Sequence, residues 1–395
     1  MLRREFVIKS GLATAALGST TASLGKVFSQ SPNETLNIGI IGTGDRGGGL
    51  IPFINQIPNL KVTACCDILP FRLERALSMV EGKPAAYKDY RKLLENNDLD
   101  AILVATPLSS HSKIAMDAVG AHKHVYCEKT MAKGYEGISN LLGRVKLSDK
   151  TFQTGHQYHS SRLYTHVVDL IKNGKVGTVT AFECQWNRNS DWRRPVPQPE
   201  LERLINWRMY REFSGGLTAE LCSHQIDFVN WVLEAVPEKV IGVGGIDYWK
   251  DGRETYDNIH LIYSYPNGVK AKFTCLTSNG KDDYKIRVMG DQGTIILDYV
   301  KAWFYPEGKY NKEIGNVDGV SGATINWEEG KGIPIEVEHE DPSKQALIDF
   351  RQNITNNEIP ISNVETGAKA AICVQMGLDA MVREEIVNWN SELGV

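Results

Sequence analysis

The six residues Gly42-Thr43-Gly44-Asp45-Arg46-Gly47 follow directly on an apolar run that begins at Leu36. In a G-x-G-x-x-G segment between a strand and a helix, the first glycine permits a tight turn. The second lets the backbone approach a pyrophosphate, and the third lets helix and strand pack closely. The helix that follows offers unpaired backbone N–H groups to phosphate oxygens. Twenty residues past Gly47, Asp67 ends the apolar run 61–66, where a carboxylate binds the adenosine ribose hydroxyls and repels a 2′-phosphate. That chemistry is nicotinamide-dinucleotide binding, with NAD expected over NADP; Arg46 and Arg72 are the cations that would soften the preference. A glycine-capped helix followed by a chance acid is the plain alternative, and glycines do cluster elsewhere, at 242–245.

Three further groups of residues carry reactive types. Thr106, Pro107, Ser109, Ser110 and His111 follow the apolar run 101–105, and polar loops beyond the carboxyl ends of parallel strands are where ligands sit. Ser109 or Ser110 would equally serve as a helix cap. Glu128-Lys129-Thr130 follows the run HVYC. An ammonium here can hold and polarise a substrate hydroxyl while Glu128 lies near the cofactor; an exposed ion pair is the structural alternative. Glu220, His224 and Asp227 are spaced i, i+4, i+7, which places them on one face of a helix otherwise built from Leu221, Ile226, Phe228, Val229 and Val232. Such a polar stripe is costly to bury without partners, so it points to a cleft or an internal network. Trp207, Arg208 and Tyr210 suit stacking and hydrogen bonding to a sugar, or the edge of an aromatic core; Trp186, Asn187, Asp191, Trp192 and Arg193 form a similar loop. His156 and His159 have a metal-compatible spacing but no evident third ligand, and no metal is expected.

The elements that must position these residues form an α/β chain. Short apolar runs at 36–41, 61–66, 101–105, 124–127 and 151–154 alternate with amphipathic segments, the pattern of a parallel sheet wrapped by helices. Pro52, with Gly48 and Gly49, predicts a short or bent first helix. After a helix over 161–173 the texture changes to β-rich segments at 179–187, 240–249, 258–265, 269–277, 285–289 and 293–299. Pro266-Asn267-Gly268 is a hairpin signal, so the second domain is expected to be α+β with a large, mainly antiparallel sheet. The expected units are a Rossmann domain over 36–157, a substrate domain over 158–340, and helices within 341–395 that pack back on the core.

The whole chain narrows the function class. Its 395 residues exceed one ordinary domain, and 42% hydrophobic with 23% charged residues suits a globular core. A net charge of -4 leaves no basic footprint for nucleic acid. The seven cysteines include no C-x-x-C pair and sit mostly in apolar runs, so reduced thiols are expected. At the amino terminus, Arg3-Arg4 with Phe6 and Lys9, followed by small and apolar residues too few to span a bilayer, reads as a leader over 1–30. The arginine pair looks like a twin-arginine export signal, which carries proteins already folded, although Leu2 departs from the usual residue. An ordinary secretion signal is the alternative. The protein is expected to be exported, to the periplasm or cell surface, or to remain cytoplasmic if the leader reading fails.

Together these motifs resemble the glucose–fructose oxidoreductase / inositol dehydrogenase (Gfo/Idh/MocA) family of NAD(P)-dependent sugar and polyol oxidoreductases. The resemblance runs from LNIGIIGTGDRG through ATPLSSHSKIAMDAVGAHKHVYCEK to the carboxyl-terminal helices. The family's acid–lysine–proline motif is matched by Glu128-Lys129 with Thr130 in place of proline, and its G-G-x-x-x-D-x-x-x-H-x-x-D pattern with Glu220 in place of the first aspartate. The resemblance implies that His156, Gln157 and Tyr158 contact nicotinamide or substrate, and that Lys129 and His224 do the proton chemistry on a sugar or glycoside. His224 is taken as base, with Asp227 or Glu220 holding its tautomer; the roles of Lys129 and His224 can also be reversed. The segment NWRMYREFSGGL also resembles the NAD-dependent α-N-acetylgalactosaminidases. These oxidise a ring carbon transiently and return the hydride, with Tyr210, Tyr158 or His224 as extra acid/base. An exported enzyme lacks a free dinucleotide pool, so tightly bound NAD is expected. A dehydrogenase is expected first, the redox-neutral glycosidase second and a non-catalytic NAD- or sugar-binding module third. An open antiparallel sheet makes a homo-oligomer the expected assembly.

Overall fold

Leu36, Ile38, Ile40 and the four residues of Ala101–Val104 are fully buried, so the first strands are apolar on both faces, as a sheet covered by helices on either side requires. The computed structural model describes residues 34–307 and 332–394. The amino-terminal leader with Arg3-Arg4 lies outside the described residues. The first domain runs β1 (Leu36–Ile41), α1 (Asp45–Ile54), β2 (Leu60–Cys66), α2 (Pro70–Met79), β3 (Ala85–Tyr87) and α3 (Tyr90–Leu94). It continues through β4 (Ala101–Val104), α4 (Leu108–Gly120), β5 (His124–Cys127), α5 (Tyr135–Lys146) and β6 (Phe152–Thr154). All pairs in this sheet are parallel, in the order β3-β2-β1-β4-β5-β6, with the strand order reversing beside β1. That reversal opens a crevice at the carboxyl ends of β1 and β4.

The first helix is short, ten residues, with Pro52 inside it near its carboxyl end, and one local expectation changes. Helix α4 begins at Leu108 with Pro107 as its cap, so Ser109 and Ser110 lie in the first turn. Ser110 instead bonds back to the Thr106 hydroxyl and the Pro107 carbonyl, both at 2.8 Å.

The second domain follows with α6 (Arg162–Lys172), β7 (Val179–Trp186), α7 (Glu202–Ile205), α8 (Ser223–Leu233), β8 (Lys239–Gly245) and β9 (Asn258–Ser264). Strands β10 (Lys270–Leu276), β11 (Tyr284–Gly290), β12 (Gly293–Leu297), β13 (Ala302–Pro306), β14 (Ile333–Ile335) and β15 (Val387–Asn388) complete a nine-stranded sheet. Its order is β14-β13-β12-β11-β7-β10-β9-β8-β15, antiparallel throughout except for the central pair β7–β10. One face is buried by α8 and by α10 (Val364–Arg383), while Ile241, Val243 and Ile262 on the other are exposed. Helix α9 (Pro342–Asn356) returns to the first domain, where Leu347 and Phe350 are fully buried and Phe350 meets Tyr126 edge-on at 5.6 Å. Among the described residues no helix is long and apolar enough to cross a membrane.

Candidate active site

The cradle at the crevice is built by close backbone approach. Gly42 has φ of 88°, and a Cβ there would stand 2.7 Å from the carbonyl of Ala105. A Cβ on Gly47 would stand 2.0 Å from the carbonyl oxygen of Gly42, so α1 can rest on the β1 turn only because position 47 has no side chain. Thr43 is fully buried behind this turn. Asp67 Oδ2 accepts from the Thr43 backbone N–H at 2.8 Å and its hydroxyl at 3.2 Å, while Oδ1 accepts from Leu69 N–H at 2.8 Å. The acid therefore braces the glycine turn while also lining the crevice. Gly44 faces Arg72, whose guanidinium would lie 3.3 Å from a Cβ there.

Arg46 turns away from Asp67. Its Nε meets Glu128 Oε1 at 2.7 Å and its Nη1 donates to Ser343 Oγ at 3.0 Å, so α9 helps to hold the pair. It is thus engaged beside Lys129, rather than beside Asp67 where a 2′-phosphate would be selected. Asp45 is claimed by the second domain: Arg194 Nε is 2.9 Å away, and that hydrogen bond holds the Asp45 carboxyl below its ordinary range. His111 ties two loops of the crevice, with Nδ1 2.9 Å from the Thr130 carbonyl and Nε2 2.8 Å from that of Thr106. Burial lowers its pKa against the pull of both carbonyls, so the neutral ring can donate to only one of them.

At the far end of the crevice the two domains meet over Lys129. Its Nζ donates to the carbonyls of Glu220 at 2.7 Å and Ala219 at 3.3 Å, with Glu220 Oε2 at 4.0 Å. Burial lowers the ammonium's pKa, opposed by Glu220 and reinforced by Arg208. The Lys129–Thr130 peptide is cis. Glu220 also accepts from Arg208 Nε at 3.0 Å and Ser214 Oγ at 3.2 Å. His224 is buried, and burial drives its pKa well below the ordinary imidazole range, helped by the nearby charges of Lys129, His156 and Arg46. It is therefore a neutral ring with no Nδ1 partner among the described residues. Its ring is surrounded by His156 at 5.7 Å, Tyr158 at 5.3 Å and Trp186 at 5.7 Å between centroids.

The expected stripe is broken. Residues Thr218–Cys222 form a single π-helical turn before α8, and this wider turn takes Glu220 out of the simple i, i+4 register with His224. Asp227 points to the other side, with Oδ2 2.7 Å from His159 Nε2, and the His159 ring rests 4.3 Å from Trp231. Burial alone would raise the Asp227 pKa, but His159 and His156 outweigh it and keep the carboxylate charged. Neither carboxylate touches the His224 ring, so the expectation that one of them holds its tautomer gives way to two separate pairs: Glu220 with Arg208 and Lys129, Asp227 with His159.

These groups line one cavity of about 790 Å³ that runs from Gly42, Gly44 and Asp67 past Thr106, Pro107 and His111 to Glu128, Lys129, Gln157, Trp207, Arg208, Glu220 and His224. Gly47, Thr43, His156, Tyr158 and Asp227 are not among the residues that line it. Tyr210 lies outside, where its hydroxyl donates to Glu202 at 3.2 Å and Arg203 covers its ring at 4.1 Å, so its place is structural. The wall also holds Lys88–Arg91 and, from the loop after β7, Arg188, Trp192 and Arg194; of these only Trp192 stands out in the sequence, within a loop suited to carbohydrate. Their only sequence signal is a tryptophan–arginine alternation spread over a loop. Among the described residues no group of three histidine, cysteine or acidic side chains could hold a metal ion.

The model of the NAD-binding Rossmann fold of the GFO_IDH_MocA oxidoreductases matches residues 36–156, and that of their carboxyl-terminal alpha/beta domain matches 168–387. The chain belongs to this family. Among its relatives is the myo-inositol 2-dehydrogenase of Thermotoga maritima, 24% identical over 275 residues, covering 67% of this chain and 76% of that one. Another is glycosyl hydrolase family 109 protein 2 of Shewanella sp. strain ANA-3, 26% identical over 195 residues, 47% of this chain and 42% of the relative. Levoglucosan dehydrogenase, solved with NADH and L-sorbose, shares the fold with a TM-score of 0.72 at 16% identity, over 90% of this chain and 99% of that structure.

Proposed function

We propose that the protein oxidises a ring carbinol of a sugar or glycoside, with NAD as the hydride acceptor. The observation that carries this reading is the single cavity that joins the glycine cradle and Asp67 to Lys129 and His224. A dinucleotide fits the cradle because its phosphates can approach Gly42 and Gly44 where no Cβ intervenes, at the start of α1. When bound, the nicotinamide supplies the acceptor for the hydride of the carbinol carbon. Every other task falls to side chains. Lys129, anchored on the carbonyls of Ala219 and Glu220, directs its remaining donor capacity at the substrate oxygen. Neutral His224 takes the hydroxyl proton, and its burial keeps it unprotonated before the substrate arrives. Trp207 and Arg208, stacked at 4.2 Å, offer a face for a sugar ring. The Asp67 carboxylate favours NAD over NADP, and we take the cofactor to be held tightly. We further propose export in the folded state through the Arg3-Arg4 leader, and a homo-oligomer formed through the exposed face of the second sheet.

A second reading is favoured by the likeness to the family 109 glycosyl hydrolase: transient oxidation of a ring carbinol to a ketone, elimination of the aglycone with the acidified neighbouring C–H proton, addition of water and return of the hydride to the ketone. His224 and Lys129 serve both readings. One experiment separates them. The purified protein is denatured and any released nucleotide identified; aryl glycosides are then supplied while reduced-nicotinamide absorbance and aglycone release are followed together. Net absorbance gain without aglycone supports dehydrogenation. Aglycone without net absorbance change supports the glycosidase, and absence of any bound or bindable nucleotide overturns both.

A further inference from the structure

Strand β7 ends at Trp186, and two residues on the backbone N–H of Arg188 is held by the Leu276 carbonyl at 2.7 Å. The Arg188 side chain thus leaves a rigid sheet edge, not a free loop tip. Its guanidinium carbon lies 5.6 Å from the ring centre of Trp186 and 5.6 Å from that of Trp192, between two indoles on the cavity wall. Four other arginines of that cavity have a carboxylate: Arg46 has Glu128, Arg91 has Asp89, Arg194 has Asp45 and Arg208 has Glu220, while Arg72 lies against Gly44 in the dinucleotide cradle. Among the described residues Arg188 has no ion pair and no side-chain hydrogen bond. The second domain's share of the wall therefore carries Arg188, Arg194 and Arg208 against one acid, Glu220.

A guanidinium presents five donors in a planar fork and no acceptor. Holding one half-buried against aromatic faces without an acceptor forgoes the bidentate bonds that carboxylates and sulfates supply. Trp186 links the two ends of the arrangement, since its other neighbour in the cavity is His224, 5.7 Å away between ring centres. A molecule that places a hydroxyl at His224 can reach Arg188 across a single indole.

We infer that the substrate is an acidic saccharide, whose carboxylate or sulfate ester is bound by Arg188 while its reacting hydroxyl faces His224. This rests on the reading that a sugar occupies the cavity beside His224. The competing account is a clip that only stiffens Trp186 and Trp192 and leaves its donors to water.

The test is calorimetric and independent of turnover. The full-length protein, saturated with NADH, is titrated with glucuronate, galacturonate and glucose 6-sulfate, each against glucose or galactose. An acidic member should bind at least about tenfold more tightly than its neutral partner, about 1.4 kcal/mol, and lose that advantage as salt is raised. Preference confined to the uronates identifies a carboxylate, and preference confined to glucose 6-sulfate a sulfate ester. Arg188→Gln should bring acid and neutral to within about twofold, with NADH affinity and melting temperature unchanged, and Arg188→Lys should keep part of the preference. Equal binding of acidic and neutral sugars, binding of neither, or a preference untouched by Arg188→Gln overturns the inference. In a separate assay with NAD in place of NADH, an acid that binds through Arg188 without being oxidised would keep the anion site and count against the dehydrogenase reading alone.

Discussion

Lys129 and His224 answer to different physical causes, and their variants should separate accordingly. Lys129 is tethered through its Nζ to two carbonyls of the π-helical turn, so Lys129→Met removes a positioned ammonium at a site already walled by apolar and aromatic groups. Turnover should fall by at least about a thousandfold, within the range for losing a preorganised donor or general base. Nucleotide affinity, read by NADH fluorescence, should change by no more than about threefold because the cradle is remote from Nζ. His224→Ala should do the same. Unchanged turnover in either variant removes that residue from the chemistry. The types and spacing of Glu128, Lys129 and His224 were legible in the chain. The partners of Glu220 and Asp227 were not, because a π-turn changes which way a side chain faces without leaving a mark in residue spacing. Tyr210 could not be told from a site residue for a related reason: stacking on Arg203 and stacking on a sugar ask for the same ring.

At the scale of elements, the contact between β1 and α1 is the tightest constraint on the cofactor site. Gly47→Ala would place a methyl 2.0 Å from the Gly42 carbonyl oxygen, which only a shift of α1 away from the turn can relieve. Overpacking of this kind costs about 1–3 kcal/mol, so the melting temperature should drop by several degrees. Because the helix start and the turn move apart, NAD affinity should fall by more than about tenfold; retention of wild-type affinity by titration would count against a dinucleotide in this cradle. This element was readable from the sequence since the glycine pattern is a backbone requirement. The parallel pair β7–β10 was hidden, because parallel neighbours are joined by long excursions that carry no turn signal.

Across the whole molecule, buried histidines make stability depend on pH. His111, His156 and His224 have pKa values lowered chiefly by burial. Burial also lowers His124 on β5, reinforced by Lys150, to about 4. The His124 Nδ1 accepts the Thr151 backbone N–H at 3.0 Å, which requires an unprotonated nitrogen. Such groups bind protons more readily in the unfolded chain than in the fold. Their stabilising contribution is complete above the ordinary imidazole value of 6.5 and is lost as pH falls from there toward the folded-state values, near 4 for His124. The melting temperature should therefore be level from about pH 7 to 8 and decline steadily below about pH 6.5. His124→Gln, which keeps an acceptor for Thr151, should flatten part of that decline; an unaltered slope would show that His124 titrates normally.

The amino-acid sequence by itself determined that this chain binds a dinucleotide through its first domain. Each step of that reading is local: a strand, a glycine turn whose backbone admits no Cβ, and an acid at the next strand end. It also determined the family, through Glu128-Lys129 and the Gly-Gly to His224 segment read together with the cradle. Only the tertiary structure decided what surrounds the reacting end. Arg46 is drawn to Glu128, Asp45 to Arg194 and Asp227 to His159, each pairing between residues more than sixty positions apart. Such pairings are set by packing in three dimensions, within a domain for Arg46–Glu128 and Asp227–His159 and between domains for Asp45–Arg194, and charge at long separation leaves no periodic trace along a chain. The same packing left Arg188 between two indoles and without a carboxylate, a vacancy that no local pattern records.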